Sequence, residues 1–157
     1  MIELNREGFN IVLYQPEIPA NTGNIGRLCV GSKSTLHLIK PLRFLMDDKS
    51  LKRAGLDYWT DLKLILHENI QEILSSVPRE KLFFCTTKSD TSYLDKSYKE
   101  GDYLIFGPES RGLPEELLNQ YADRCVTIPM NNLIRSINLS NAVAIVLYEA
   151  IRQQFPV

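Results

Sequence analysis

The sequence predicts an α/β fold, a mainly parallel sheet flanked by helices, in a single domain covering residues 1–157. Two observations lead to this. Short runs rich in β-branched and aromatic residues are nearly continuous in apolarity, as strands buried on both faces are. Amphipathic helical stretches alternate with them, the order that builds parallel sheets. The length of 157 residues suits one domain, and no repeat, linker or low-complexity segment divides it.

In chain order, "FNIVLY" (9–14) is the first strand, and "NTGNIGRLCVGSK" starts a helix near Thr22. "LHLIKP" (36–41) is a second strand, and "LKLIL" (62–66) reads either as a strand or as a lead-in to a helix. "ENIQEILSSV" places Ile70, Ile73, Leu74 and Val77 on one helical face. "KLFFCTT" (81–87), "DYLIFG" (102–107) and "CVTIPM" (125–130) are further strands. "LPEELLNQYA" opens a helix with proline in its first turn and acids that suit the positive N-terminus. The strongest helix is "NLSNAVAIVLYEAIRQQ", where Leu139, Ala142, Val143, Val146, Leu147, Ala150 and Ile151 recur at i, i+3, i+4 and either Asn138 or Ser136 caps the start.

Composition removes several classes of function. No apolar run approaches the ~20 residues of a membrane span, and "MIELNREGFN" has no signal-peptide core. A cytoplasmic protein is expected. Cys29, Cys85 and Cys125 are odd in number and never in a CxxC pattern, so buried reduced thiols are expected. His37 and His67 lack ligand spacing, so no metal site is expected. A net charge of −1 argues against indiscriminate nucleic-acid binding, although "DDKSLKRAG" gathers Lys49, Lys52 and Arg53 at spacings that share one side of a helix.

In open parallel sheets ligands sit beyond the carboxyl ends of the strands, and three post-strand loops carry more polar groups than a turn needs. In "QPEIPANTGNIGR", Pro16 and Pro19 stiffen the approach, Asn21, Thr22 and Asn24 offer hydrogen bonds, and Arg27 can reach a phosphate or carboxylate. This loop has neither the P-loop spacing nor GxGxxG. In "GPESRGLP", Gly107 ends a buried strand where a side chain would block an approaching group. There Glu109 and Arg111 either pair with each other or bond a ligand or another loop. In "IPMNNLIRSINLSNA", Ile128 and Met130 can line a slot for a flat base, and Arg135, Ser136, Asn138 and Ser140 exceed what one helix cap requires.

Together "NTGNIGR", "FGPESRGLP" and "IPMNNLIRSINLSNAVAIVLYEA" resemble, in order and spacing, the three signature motifs of the SPOUT RNA methyltransferases, over almost the whole chain. The bare catalytic domain, "RAGLDYW" and "LSNAV" are most similar to the branch that methylates the ribose 2′-hydroxyl of the tRNA wobble nucleotide, cytidine or modified uridine. The resemblance implies a C-terminal trefoil knot, against the general rarity of knots. It also implies an obligate homodimer, S-adenosyl-L-methionine as cofactor and the tRNA anticodon loop as partner. Cofactor contacts implied are Cys85, Thr86, Gly107, Ile128, Met130, Ser136 and Leu139. RNA contacts implied are Arg27, Lys49, Lys52, Arg53, Arg111 and Arg135, with Arg152 a further candidate and Tyr58 or Trp59 available to stack the wobble base.

Methyl transfer to a hydroxyl needs in-line positioning and a group that takes or polarises the proton. The resemblance assigns that group to Arg27, acting in the partner's site. Arginine holds its proton far above neutral pH, so of the two roles, base or electrostatic organiser of phosphate and developing alkoxide, the second is preferred. Asn21, Glu109, Ser136 and Asn138 are implied organisers. Tyr148 serves RNA or catalysis, or else lies at the interface. Two rival readings remain: a 2′-O-methyltransferase acting on another tRNA or rRNA ribose, and a non-catalytic RNA-binding protein of the same fold. Ile137, where methionine or leucine is common, and the apolar "NNLI" depart from the family pattern.

Overall fold

The computed structural model describes residues 1–47, 49, 53 and 56–154. Six strands form one sheet: β1 (Asn10–Tyr14), β2 (Thr35–Ile39), β3 (Leu64–His67), β4 (Leu82–Cys85), β5 (Tyr103–Phe106) and β6 (Cys125–Val126). Their order is β3-β2-β1-β5-β4-β6, and every neighbouring pair is parallel. The helices whose bounds lie among the described residues are α1 (Pro19–Gly31), α2 (Gln71–Leu74), α3 (Glu115–Gln120) and α4 (Leu139–Gln154).

The period-two geometry of the strands divides the apolar residues between two cores. Ile11, Leu13, Leu36, Leu38, Leu104 and Phe106 face one side, where Ile25 and Cys29 of α1 and Val143, Val146, Leu147 and Ala150 of α4 pack on them. Val12, Ile39, Leu82, Phe84 and Ile105 face the other, against Ile73 of α2 and Leu117 and Leu118 of α3. Both sheet faces are therefore covered, which explains why the strand sequences are apolar throughout instead of alternating. The buried face of α4 comprises Leu139, Val143, Val146, Leu147, Ala150 and Ile151, the stripe its spacing predicts, with Ala142 only partly buried.

Several boundaries differ from the sequence reading. α1 begins at Pro19, three residues ahead of Thr22, because proline's fixed φ suits the first helical position. Asn21 and Thr22 are thus inside the helix, both buried, and neither caps it. "LKLIL" resolves into β3, and "CVTIPM" forms a strand only over Cys125 and Val126, with one further bridge from Thr127 to Ser92. Its remainder leaves the sheet because Pro129 has no N–H to offer a ladder.

One polar cluster interrupts the sheet. Asn10 Oδ1 lies 2.8 Å from His37 Nε2, and His67 Nε2 lies 2.9 Å from His37 Nδ1. An amide oxygen only accepts, so His37 carries its proton on Nε2 and its Nδ1 accepts from His67. Burial, reinforced by the neighbouring His67, lowers the His37 pKa to about 4, so the ring is neutral.

Candidate active site

Because all six strands run the same way, the loops after β1, β4, β5 and β6 leave from one edge of the sheet. The loop after β5 folds onto the one after β1. Glu109 accepts from the backbone N–H of Glu17 (3.0 Å) and of Ile18 (2.7 Å), and from Asn21 Nδ2 (3.2 Å). Ile18 occupies the N-cap position of α1 and has no side chain able to cap. A carboxylate some ninety positions along the chain takes over that role, where the helix dipole favours negative charge. In return, Glu17 Oε1 accepts from the Ser110 amide (2.9 Å) and hydroxyl (2.7 Å). Those bonds hold its carboxyl below the usual range.

Arg111 Nη2 donates to Gln15 Oε1 at 2.7 Å. Gln15 has φ +47°, a left-handed conformation unusual for a side-chain-bearing residue. Of the two alternatives for Glu109 and Arg111, the structure selects bonding to another loop.

The third loop joins through Asn138. Its Nδ2 donates to Asn21 Oδ1 (3.1 Å), while its Oδ1 accepts from the Ser140 amide (2.9 Å) and caps α4. Asn21 thereby bridges all three loops, with Glu109 on one side and Asn138 on the other. Between the two possible caps the structure selects Asn138, leaving Ser136 exposed.

The loops after β4, β5 and β6 enclose a cleft of about 460 Å³, within the range of small-molecule sites. Cys85, Thr86, Gly107, Ile128, Met130, Ser136 and Leu139 all line it, as do Glu109, Arg111 and Arg135. A Cβ on Gly107 would lie 2.3 Å from the Leu113 nitrogen and 2.4 Å from the Gly112 carbonyl carbon. The glycine is therefore required by closure of its own loop. From sequence alone the same glycine reads as room for an approaching ligand. Gly112, with φ +69°, makes the return turn. Burial, with Cys125 nearby, pushes the Cys85 thiol up, so this cleft residue is a neutral wall group and no nucleophile.

Other candidates lie elsewhere. Arg27 is exposed on α1 outside the cleft, its guanidinium 4.6 Å from the centre of the Tyr58 ring and its Nη2 3.2 Å from the Tyr58 hydroxyl. Trp59 packs on α1 beside Gly26, where an added Cβ would be 3.6 Å from the indole. Tyr148 is 47% exposed on α4, away from the cleft, next to Ile145, which is 38% exposed. Lys49 and Arg53 are exposed, and Lys52 lies outside the described residues. Arg152 is paired with Glu149 on its own helix. No cluster of metal-ligating groups exists among the described residues, and no described helix is long and apolar enough to cross a membrane.

Sequence reasoning missed Glu17, Gln15 and Ser110, the residues that lock the first two loops together. Glu17 lies within the quoted motif stretch, but its partner is 93 positions away and only the folded topology reveals it.

The chain is similar to known proteins in sequence and fold. The tRNA (cytidine(34)-2′-O)-methyltransferase of Escherichia coli strain K12 is 50% identical over 145 residues, covering 92% of each chain. A solved structure described as "Structural insights into the 2-OH methylation of C/U34 on tRNA" superposes with a TM-score of 0.87 at 46% identity, over 93% of this chain and 95% of that one. A SpoU methyltransferase from Streptomyces viridochromogenes, solved with the cofactor AdoMet, is only 24% identical but has the same fold, with a TM-score of 0.78 over 98% of this chain and 60% of that one. The family model described as the SpoU rRNA Methylase family matches residues 8–148, and this chain belongs to that family.

Proposed function

We propose that the protein transfers a methyl group from S-adenosyl-L-methionine to the ribose 2′-hydroxyl of the wobble nucleotide, cytidine or modified uridine, in the anticodon loop of tRNA. The carrying observation is that three loops far apart in sequence are tied through Asn21 around one cleft. The relatives named for this reaction, about half identical over nearly their full length, support the choice of substrate.

The cleft fits the cofactor. Its volume suits a nucleoside-sized ligand. Ile128, Met130 and Leu139 offer apolar surface for an adenine, and Thr86, Ser136 and backbone groups beside Gly107 offer hydrogen bonds. When bound, S-adenosylmethionine supplies an electrophilic methyl group on a sulfonium. The protein's part is orientation and electrostatics. Asn21, Glu109 and Asn138 hold the loops, Ser136 lies on the cleft wall, and Arg111 and Arg135 are cations at its edge for RNA phosphate.

Arg27 does not line its own cleft, and this supports a homodimer in which it serves the partner's cleft. Ala20, Asn24, Arg27 and Gly31 form an exposed stripe along α1. On the adjoining α4, Ile145 and Tyr148 present apolar surface to solvent. Docking of these faces covers that surface and carries Arg27 to a second active site, with Tyr148 at the interface. Arg27 then acts as a charged organiser of phosphate and developing alkoxide, its plane fixed by Tyr58. Lys49, Lys52 and Arg53 extend the RNA surface. We also infer a trefoil knot in the C-terminal segment, as the resemblance of the three motifs implies. Such an enzyme works in the cytoplasm, where tRNA is matured.

Labelled S-adenosylmethionine and unmethylated tRNA test this reading. The expected product is a 2′-O-methyl group at the wobble ribose, with Arg27→Ala slower by about 10²–10³-fold, the usual cost of removing one charge-stabilising group. Methylation at another ribose, or none in the presence of bound cofactor, would refute it.

A further inference from the structure

The charged groups that line the cleft are Lys88, Glu109, Arg111 and Arg135. Glu109 has its two oxygens committed to the N-terminus of α1 and to Asn21. Arg111 bonds the neutral amide of Gln15. The cleft therefore has a cationic excess in a chain whose net charge is −1. S-adenosylmethionine does not neutralise it, because its sulfonium and ammonium outweigh its one carboxylate. Anionic oxygens must come from that carboxylate or from RNA phosphates.

Lys88 is the cleft cation carried by the segment after β4, which lies between β5 and β6 in the sheet. Arg111 stands on the loop after β5 and Arg135 on the loop after β6, so the three cations reach the cleft from the ends of three neighbouring strands. The segment that carries it is fastened at several points. The Lys88 N–H donates to Thr86 Oγ1 (3.1 Å), Ser89 Oγ donates to the Cys125 carbonyl (3.1 Å), and the Thr91 N–H donates to Ser89 Oγ (3.1 Å). Ser92 then pairs with Thr127 beside β6. The backbone is fixed while the ammonium remains exposed, with no acidic partner among the described residues.

We propose that Lys88 is a binding residue for an anionic oxygen group at the active site: a phosphate flanking the target ribose, or the carboxylate of the cofactor. This rests on the methyltransferase reading, and direct binding measurements separate the two. The probes are S-adenosylmethionine alone, by calorimetry, and unmethylated tRNA alone, by filter binding across a potassium chloride series, on wild type, Lys88→Met and Lys88→Arg.

If the group is phosphate, Lys88→Met weakens tRNA about tenfold and lowers the slope of log affinity against log salt by about one, with cofactor affinity unchanged. If it is the carboxylate, the methionine variant weakens the cofactor by a similar factor and leaves the tRNA slope intact. In either case Lys88→Arg restores most of the loss, and thermal unfolding does not change. Wild-type-like affinity of Lys88→Met for both probes, or equal loss in Lys88→Arg, would overturn the proposal. Methyl transfer by the wild type is assayed separately, so its absence would count against the methyltransferase reading without deciding the role of Lys88.

Discussion

His37 shows how one residue links the sheet to solution conditions. In the fold it is neutral down to about pH 4, whereas an unfolded histidine takes its proton near 6.5. Between those values the unfolded chain binds more protons, so stability falls as pH falls from 6.5 towards 4 and is flat above 6.5. The full loss is on the order of 3 kcal/mol. Denaturant unfolding at pH 7 and pH 5 should show this slope in wild type and a weaker one in His37→Gln, which keeps a donor for Asn10 and an acceptor for His67. The sequence displays both histidines, at a spacing that suggests no shared role. Their pairing was hidden because it depends on β2 and β3 lying in register, with Ile39 opposite His67. The residues around the cleft were more legible, since glycine, proline and surplus polar groups cluster there. Gly107 stood out for that reason, although the group a Cβ would strike is the backbone of its own loop.

Secondary elements were legible where packing imposes a period. α4 declared itself because one of its faces meets a sheet, and the strands did so because both their faces are buried. Short pieces were less clear. β3 is partly exposed and sits at the edge of the sheet, so its apolar run reads equally as a helix lead-in. β6 has only two residues, and the apolar residues after it, Ile128 and Met130, line the cleft, Ile128 also packing on the core. What no local pattern gives is the clamp between elements. Replacing Glu109 by alanine strips the α1 N-terminus of the side chain that caps it and leaves Asn21 with one partner fewer. The expected cost is about 1–3 kcal/mol, the range for losing hydrogen bonds to a partly buried charged acceptor. Thermal unfolding should fall accordingly, and cofactor affinity should fall with it because the cleft loop is no longer tied to α1. Glu109→Gln should lie between the two, keeping an acceptor but not the charge.

At the scale of the molecule, strand–helix alternation fixes a parallel sheet, but not the order β3-β2-β1-β5-β4-β6 that puts the loop after β5 beside the loop after β1. That neighbourhood makes one site from three distant motifs. The same topology leaves Arg27 outside the cleft of its own chain, and the central claim is that a second copy completes each active site. Co-expression of two differently tagged chains, one Arg27→Ala and the other with its cleft filled by Ser136→Trp, followed by isolation of the mixed dimer, tests this most directly. Each variant alone should be inactive. The mixed dimer contains one open cleft served by the partner's intact arginine, so it should recover roughly half of the wild-type rate of methyl transfer to tRNA. A mixed dimer that is folded, binds cofactor at one site and transfers nothing would show that Arg27 acts within its own chain, contradicting the account.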